Sequence, residues 1–231
     1  MTGLLVTGTD TGVGKTWVSC QLARALREEG LRVGVMKPCE TGITARGDEV
    51  LPRGCDAALL QEASGCEADP KDILPYRFAL PAAPSVSAEE EGARIELDTL
   101  LAAFSRLQED HDLVLVEGAG GLLVPLAEGL DFLGLATTLE LEVLVVARTG
   151  LGTVNHIALT DRVLRAEGFP PVGVVLNSPT TPVSGSDRAN LGALGLVLEE
   201  TRVLAELPHG DAPPVRVLAP LVEAVRERLR V

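Results

Sequence analysis

The chain has 231 residues, 46% of them apolar and 23% charged, which suits one α/β domain burying roughly 70–75% of its unfolded surface. Its longest apolar runs, Leu122 to Leu126 and Val143 to Ala147, fall well short of the roughly 20 residues that cross a bilayer, which argues against a membrane protein. A net charge of −13 with 3% aromatic residues argues against nucleic acid as a partner, since that needs a basic groove or a stacking platform.

Taken in chain order, short apolar runs at Leu4 to Thr7, Val33 to Met36, Leu113 to Val116, Val143 to Val146, Val172 to Leu176 and Val203 to Leu207 predict strands. Between them, Thr16 to Glu29, Leu97 to Glu109, Thr153 to Glu167 and Leu221 to Leu229 carry helical periodicity. Continuously apolar strands alternating with amphipathic helices predict a three-layer α/β/α fold with a mostly parallel central sheet, in a single domain over residues 1–231. Glu40 to Arg53, Pro70 to Pro84 and Pro179 to Arg188 read as surface loops, being rich in Pro, Gly, Ser and charge. The start of the chain lacks a basic stretch and a cleavage site, and Cys20, Cys39, Cys55 and Cys66 form no C-x-x-C pair. Reduced thiols and a cytoplasmic location are therefore expected.

Ligands of parallel sheets bind beyond the carboxyl ends of the strands, so the residues just after each apolar run are the ones to inspect. The first run is followed by Gly8-Thr9-Asp10-Thr11-Gly12-Val13-Gly14-Lys15-Thr16 and then a helix. A strand, a Gly-rich loop ending in Gly-Lys-Thr and a helix N-terminus form a phosphate loop: backbone N–H groups cradle phosphates, the lysine neutralises them, and the Thr16 hydroxyl meets Mg²⁺. The strict pattern wants glycine at position 9, where this chain has Thr9, with Gly8 one residue early. None of the three lysines follows an asparagine, which argues against a guanine-reading switch, and Asp10 stands where partition ATPases carry a second lysine. Seventeen of the 20 basic residues are arginine, yet Lys15 and Lys37 both sit at strand ends, positions suited to a compact ammonium. Taken alone, Lys37 reads as a solvated strand-end cation, Glu117 equally as a metal ligand or a solvated carboxylate, and Asp56 as the N-cap of a helix beginning at Ala57. Asn177 reads equally as a turn residue or a partner for a purine edge, and Glu206-Leu207-Pro208, ending the next strand, offers groups for the same edge. The turn Thr149 to Asn155 leads into a helix and could receive a carboxylate. His111, His156 and His209 have no metal spacing and read as surface or capping residues.

The loop resembles that of the dethiobiotin synthetases, meeting every fixed position of Gly-Thr-Asp-Thr-x-Val-Gly-Lys-Thr. Met36-Lys37-Pro38 with Thr41-Gly42, then Val116 to Gly121, then Gly152 to Asn155-His156, are similar to that family's further motifs in the same order, up to about residue 210. The resemblance implies a phosphate-loop ATP-dependent ligase that makes dethiobiotin from 7,8-diaminopelargonate and CO₂. It places ATP against Gly12, Val13, Gly14, Lys15, Thr16 and Trp17, against Glu117, Gly118, Ala119 and Gly120, and against Asn177, Glu206, Leu207 and Pro208. Mg²⁺ falls to Thr16, Asp56 and Glu117, with Asp48 as the competitor for Asp56 should the alignment shift. Lys37, Lys15 and Thr11 take the catalytic roles, Lys37 holding the carbamate and the transferring phosphoryl group, and Thr41 binds substrate, where the family more often shows serine. Gly150, Gly152, Thr153 and Asn155 serve the substrate of a neighbouring subunit, implying a homodimer. Some relatives carry an acid at the position of Gly12 and an aromatic residue within Asp187 to Leu194; this chain has neither. Two other readings stay open: another ATP-dependent amidating enzyme on this scaffold, such as a cobyrinate-amidating domain, or a nonenzymatic nucleotide switch.

Overall fold

The computed structural model describes residues 2–44, 50–178, 184–208 and 215–231. Its elements run β1 (Gly3–Gly8), α1 (Lys15–Glu28), β2 (Val33–Met36), β3 (Cys39–Thr41), α2 (Asp56–Ser64), α3 (Pro70–Ile73), β4 (Tyr76–Phe78), α4 (Pro84–Glu90) and α5 (Leu97–Asp110). They continue with β5 (Leu113–Gly121), β6 (Pro125–Ala127), β7 (Leu130–Asp131), α6 (Phe132–Thr138), β8 (Glu142–Arg148), α7 (Thr153–Ala166), β9 (Gly173–Asn177), α8 (Gly185–Leu191), α9 (Leu194–Val197), β10 (Val203–Leu207) and α10 (Val215–Leu229).

Six strands form one sheet in the order β10-β9-β8-β1-β5-β2, every pairing in it parallel. β1 and β2 are buried along their whole length, so side chains pointing to either face leave water. That is possible only where helices cover both faces, and it is why these strands are apolar throughout instead of alternating. α1 supplies part of that cover, turning Val18, Leu22 and Leu26 inward. Two small sheets stand apart: β3 with β4, parallel, and β6 with β7, antiparallel.

Sheet register sets up the site. β2 pairs with β5 as far as Met36↔Val116, so Lys37 and Glu117 emerge side by side at one rim. β1 pairs with β5 at Val6↔Glu117 and next at Gly8↔Gly121. β5 thus swells at Gly118 to Gly120 beside the phosphate loop, and Gly120 makes the bend with φ +68°.

Five expectations about the elements need correction. The run expected to end at Val116 continues to Gly121, so Glu117 lies inside a strand and not at its mouth. Pro70 to Pro84 contains α3 and β4, which Asp69 and pairing with Cys39–Thr41 hold in place. The stretch expected to be a loop from Glu40 to Arg53 opens with two residues of β3, and α8 begins at Gly185 behind a Ser184/Asp187 capping box. α10, expected from Leu221, starts at Val215 and runs through Pro220. Asp48 and His209 lie outside the described residues.

Candidate active site

The site grows from the first βα turn. α1 begins after Gly14, whose φ of 91° is left-handed, and no side chain caps its first turn. Its leading N–H groups are left for an anion, favoured by the positive end of the helix dipole. A Cβ on Gly8 would stand 2.7 Å from the Asp10 carbonyl oxygen and 2.9 Å from that of Gly120, so position 8 has no room for a side chain.

Lys37 is 3% exposed, not solvated. Its Nζ lies 2.6 Å from Glu117 Oε1, 2.8 Å from Asp56 Oδ2 and 3.4 Å from the Gly118 carbonyl oxygen. The Thr16 hydroxyl donates to the same Glu117 oxygen at 2.9 Å. Burial works against the Lys37 charge, but the attraction of Glu117 and Asp56 outweighs it and holds the ammonium above its ordinary pKa. Asp56 shows the mirror image: burial is overcome by Lys37, and its carboxyl stays below the usual range. Lys15 differs. It is buried and makes no hydrogen bond or ion pair among the described residues, and burial followed by repulsion from Lys37 brings it down to about 8. One ammonium is tied down by carboxylates; the other feels Glu117, Asp56 and Asp10 only at a distance, too weakly to offset burial and Lys37, and stands to gain from a phosphate.

Asp56 is not the N-cap of α2. That position is Cys55, whose sulfur accepts from Ala58 N, and Asp56 is the first helical residue. Its carboxylate is therefore free to reach Lys37. Glu117 Oε2 is buried without a hydrogen-bond partner among the described residues. Together with the Thr16 hydroxyl and Asp56, this orphaned oxygen offers the hard donors that suit Mg²⁺, which takes few protein ligands and fills its shell with water and phosphate oxygens. The residues present fit such an ion.

Thr11, Gly12, Gly14, Lys15, Thr16, Lys37, Thr41, Asp56, Ala119 and Gly120 line one cavity of about 670 Å³. Trp17 is half-buried against the core. Glu40, the Pro81 to Pro84 wall and Val124 also line the cavity, and none of these was singled out from sequence. Only the place of Glu40, three residues past Lys37, could have signalled it. The remaining residues lie elsewhere along the rim. Asn177, 2% exposed, donates Nδ2 to the Val13 carbonyl oxygen at 2.9 Å. Glu206 and Pro208 are exposed at the end of β10, with Leu207 buried between them. Gly150 and Gly152 carry left-handed φ values, Asn155 is exposed, and the Thr153 hydroxyl donates to the Arg148 carbonyl oxygen at 2.6 Å. Thr153 thus has its side chain engaged within the protein. His111 matches the capping expectation: its Nδ1 lies 2.6 Å from the Leu107 carbonyl oxygen at the end of α5.

A parallel sheet whose first turn is a phosphate loop, with lysines and carboxylates gathered over it, defines a P-loop nucleotide-binding protein. Solved structures agree at the level of fold. A ParA-family ATPase from Chlorobium tepidum superposes with a TM-score of 0.53 at 15% identity, covering 99% of this chain and 98% of that one. The MinD cell division protein of Aquifex aeolicus gives 0.51 at 14% identity, covering 100% and 96%. A family model described as an AAA domain matches residues 2–212. Among curated proteins, the ATP-dependent dethiobiotin synthetase BioD of Anaeromyxobacter dehalogenans is 47% identical over 197 residues, covering 83% of this chain and 86% of its own. Those of Aquifex aeolicus and Bacillus subtilis are 41% and 36% identical, covering 77% and 82% of this chain and 76% and 80% of their own. The chain belongs to the ATP-dependent dethiobiotin synthetase family.

Proposed function

We propose that the cavity over the phosphate loop closes a cyclic urea: 7,8-diaminopelargonate, CO₂ and ATP give dethiobiotin, ADP and phosphate, a step of biotin biosynthesis. The enzyme is an ATP-dependent ligase that forms C–N bonds, like the relatives it matches. One amine attacks CO₂, forming an N–C bond and losing a proton to give a carbamate. A carbamate oxygen then attacks the γ-phosphorus as the bond to ADP breaks, and the second amine displaces phosphate from the resulting mixed anhydride.

The chain's own part is positioning and charge. The α1 N-terminus and Lys15 hold the phosphates, and Lys37, freed in part from Glu117 and Asp56, neutralises the oxygens between carbamate and γ-phosphoryl group. Thr11 and Thr41 offer hydroxyls to the diamine. Mg²⁺, held by Thr16, Asp56 and Glu117, supplies neutralisation of the phosphate oxygens when bound. Asn177 has committed Nδ2 to Val13, which leaves Oδ1 as an acceptor for the exocyclic amine of adenine, with Glu206 to Pro208 beside it. The backbone at Gly150 and Gly152, with Asn155, takes the substrate carboxylate of a neighbouring copy. The homodimer this requires is supported by Leu123 and Leu159, each 55% exposed and lining a common cavity of about 430 Å³ beside Thr9 to Thr11. Four buried cysteines, none in a disulfide, support a cytoplasmic enzyme.

The observation that carries this reading is the placement of Lys15, Lys37, Thr16 and Asp56 around one cavity, above Glu117. Incubation with ATP, Mg²⁺, bicarbonate and 7,8-diaminopelargonate should yield ADP together with a product that differs from the diamine by one carbonyl gained and two hydrogens lost. ADP release indifferent to the diamine would overturn it.

A further inference from the structure

Glu40 belongs to none of the roles above, yet it is a carboxylate 8% exposed in the wall of the cavity. Its Oε1 accepts from Asp56 N at 2.7 Å and its Oε2 from Ala57 N at 3.0 Å. Those are the first two N–H groups of α2, which have no partner within the helix. A carboxylate there answers both the unmet donors and the positive end of the helix dipole. Cys55 supplies the ordinary cap one turn on, through a longer contact of 3.4 Å to Ala58 N. Glu40 therefore grips the very residue whose side chain reaches the site: Asp56 N binds Glu40, while Asp56 Oδ2 binds Lys37 Nζ.

We propose that Glu40 is a positioning residue for Asp56, clamping the start of α2 so that the Asp56 carboxylate stands at the Lys37 and Thr16 corner of the cavity. Glu40 is not itself a ligand. Both its oxygens are turned to the helix backbone, and among the described residues no group of three or more His, Cys, Asp or Glu converges on one point. The inference rests on the reading of Asp56 as a metal ligand. It adds to that reading the element that fixes where the ligand stands. Gln at position 40 keeps the shape of Glu but presents an amide N–H₂ to one of the two backbone donors, so one half of the clamp is lost.

The test is a double-mutant cycle on the full chain, with Mn²⁺ affinity measured by electron paramagnetic resonance in the presence of saturating ADP. Glu40→Gln should weaken Mn²⁺ binding about tenfold, the lower end of what loss of a group supporting a metal ligand costs. In an Asp56→Asn background the same change should have no further effect, because the clamp then has no ligand to place. ADP affinity without metal should be the same in all four proteins, and circular dichroism should show each folded. Glu40→Asp, one methylene short, serves as a second variant of intermediate effect should the glutamine protein not fold. Unchanged Mn²⁺ affinity in Glu40→Gln, or an equal loss in both backgrounds, overturns the positioning role. Wild-type Mn²⁺ affinity in Asp56→Asn overturns the metal reading itself, which separates the two failures.

Discussion

Lys15 and Lys37 are the same residue type at the same rim, but their surroundings divide the work. Lys37 holds Glu117 and Asp56 at 2.6 and 2.8 Å, so removing it does two things. Loss of a charge-stabilising donor should lower kcat by about 10²–10³. Glu117, 1% exposed, is also left as a buried charge without its cation, and breaking such a pair costs about 3–5 kcal/mol. Lys37→Ala should therefore be impaired in both kcat and urea midpoint, contrary to the expectation from a solvated strand-end lysine that only catalysis suffers. Lys15 has no ion pair to lose, so Lys15→Ala should keep or slightly raise the urea midpoint while ATP affinity falls. Equal midpoints for the two variants would contradict this division. The pattern Gly-Lys-Thr made Lys15 legible from sequence, because its neighbours dictate its surroundings. Lys37 was legible as a position and not as an environment, since its partners are 19 and 80 residues away.

At the level of elements, the phosphate loop depends on a close pass between β1 and the swollen part of β5. Gly8→Ala should force these backbones apart, because the new methyl group would meet two carbonyl oxygens inside 3.0 Å. Loss of ATP binding with a lowered melting temperature is expected, whereas alanine at Gly12, where a Cβ meets nothing within 4 Å, should cost only the strain of its φ of +74°. A second joint ties α7 to the segment before β10. Thr201 donates to the buried Asp161 at 2.5 Å and accepts from Arg165 at 2.7 Å. Thr201→Val removes both contacts and should lower stability by about 1–3 kcal/mol in urea denaturation; an unchanged midpoint would show that Arg165 alone satisfies Asp161. Helices with a clear apolar stripe, such as α1 and α5, were legible in sequence to within a residue or two. α10 was not: its missing residues surround Pro220, and packing against α1 and β10 keeps a helix where local propensity would end one. β3 and β4 were missed for a related reason, since strands of three residues carry no period to read.

Over the whole molecule, charge and burial set the response to pH. Burial pushes the thiols of Cys20 and Cys39 up to about 12 and that of Cys55 to about 11, from 9.0. Above pH 9 the unfolded chain releases thiol protons that the folded chain keeps, so the folded state binds more protons and stability falls as pH rises. Lys15 acts in the opposite sense between about 8 and 10.5, while Lys37, held protonated in the fold, joins the three thiols above that range. Cys20→Ala should therefore lose stability less steeply than the wild type between pH 9 and 11, and identical slopes would show that the thiol does not contribute. At neutral pH none of these three thiols should react with an alkylating reagent until the protein is unfolded. Assembly is the other property of this scale. Leu159→Asp should convert the homodimer proposed above to a monomer in sedimentation, with loss of activity as the neighbouring copy's part of the substrate site goes; a wild-type chain that sediments as a monomer would contradict that assembly.

What the sequence by itself determined was whatever neighbouring residues dictate: strand and helix order, the phosphate loop with Lys15 and Thr16, and the candidate status of Lys37, Asp56, Glu117 and Asn177. The elements and the loop rest on spacing within short segments, where backbone geometry follows from local chemistry; the other four residues gained their candidate roles from the resemblance to the dethiobiotin synthetase motifs. Only the tertiary structure decided that Lys37 is buried between two carboxylates, that Gly8 has no room for a side chain, and that Glu40 grips the helix carrying Asp56. Those facts depend on the register of β5 against β1 and β2 and on contacts between distant stretches of chain. Burial changes the energy of a charge far more than its neighbours in sequence do, and burial exists only once the sheet has assembled.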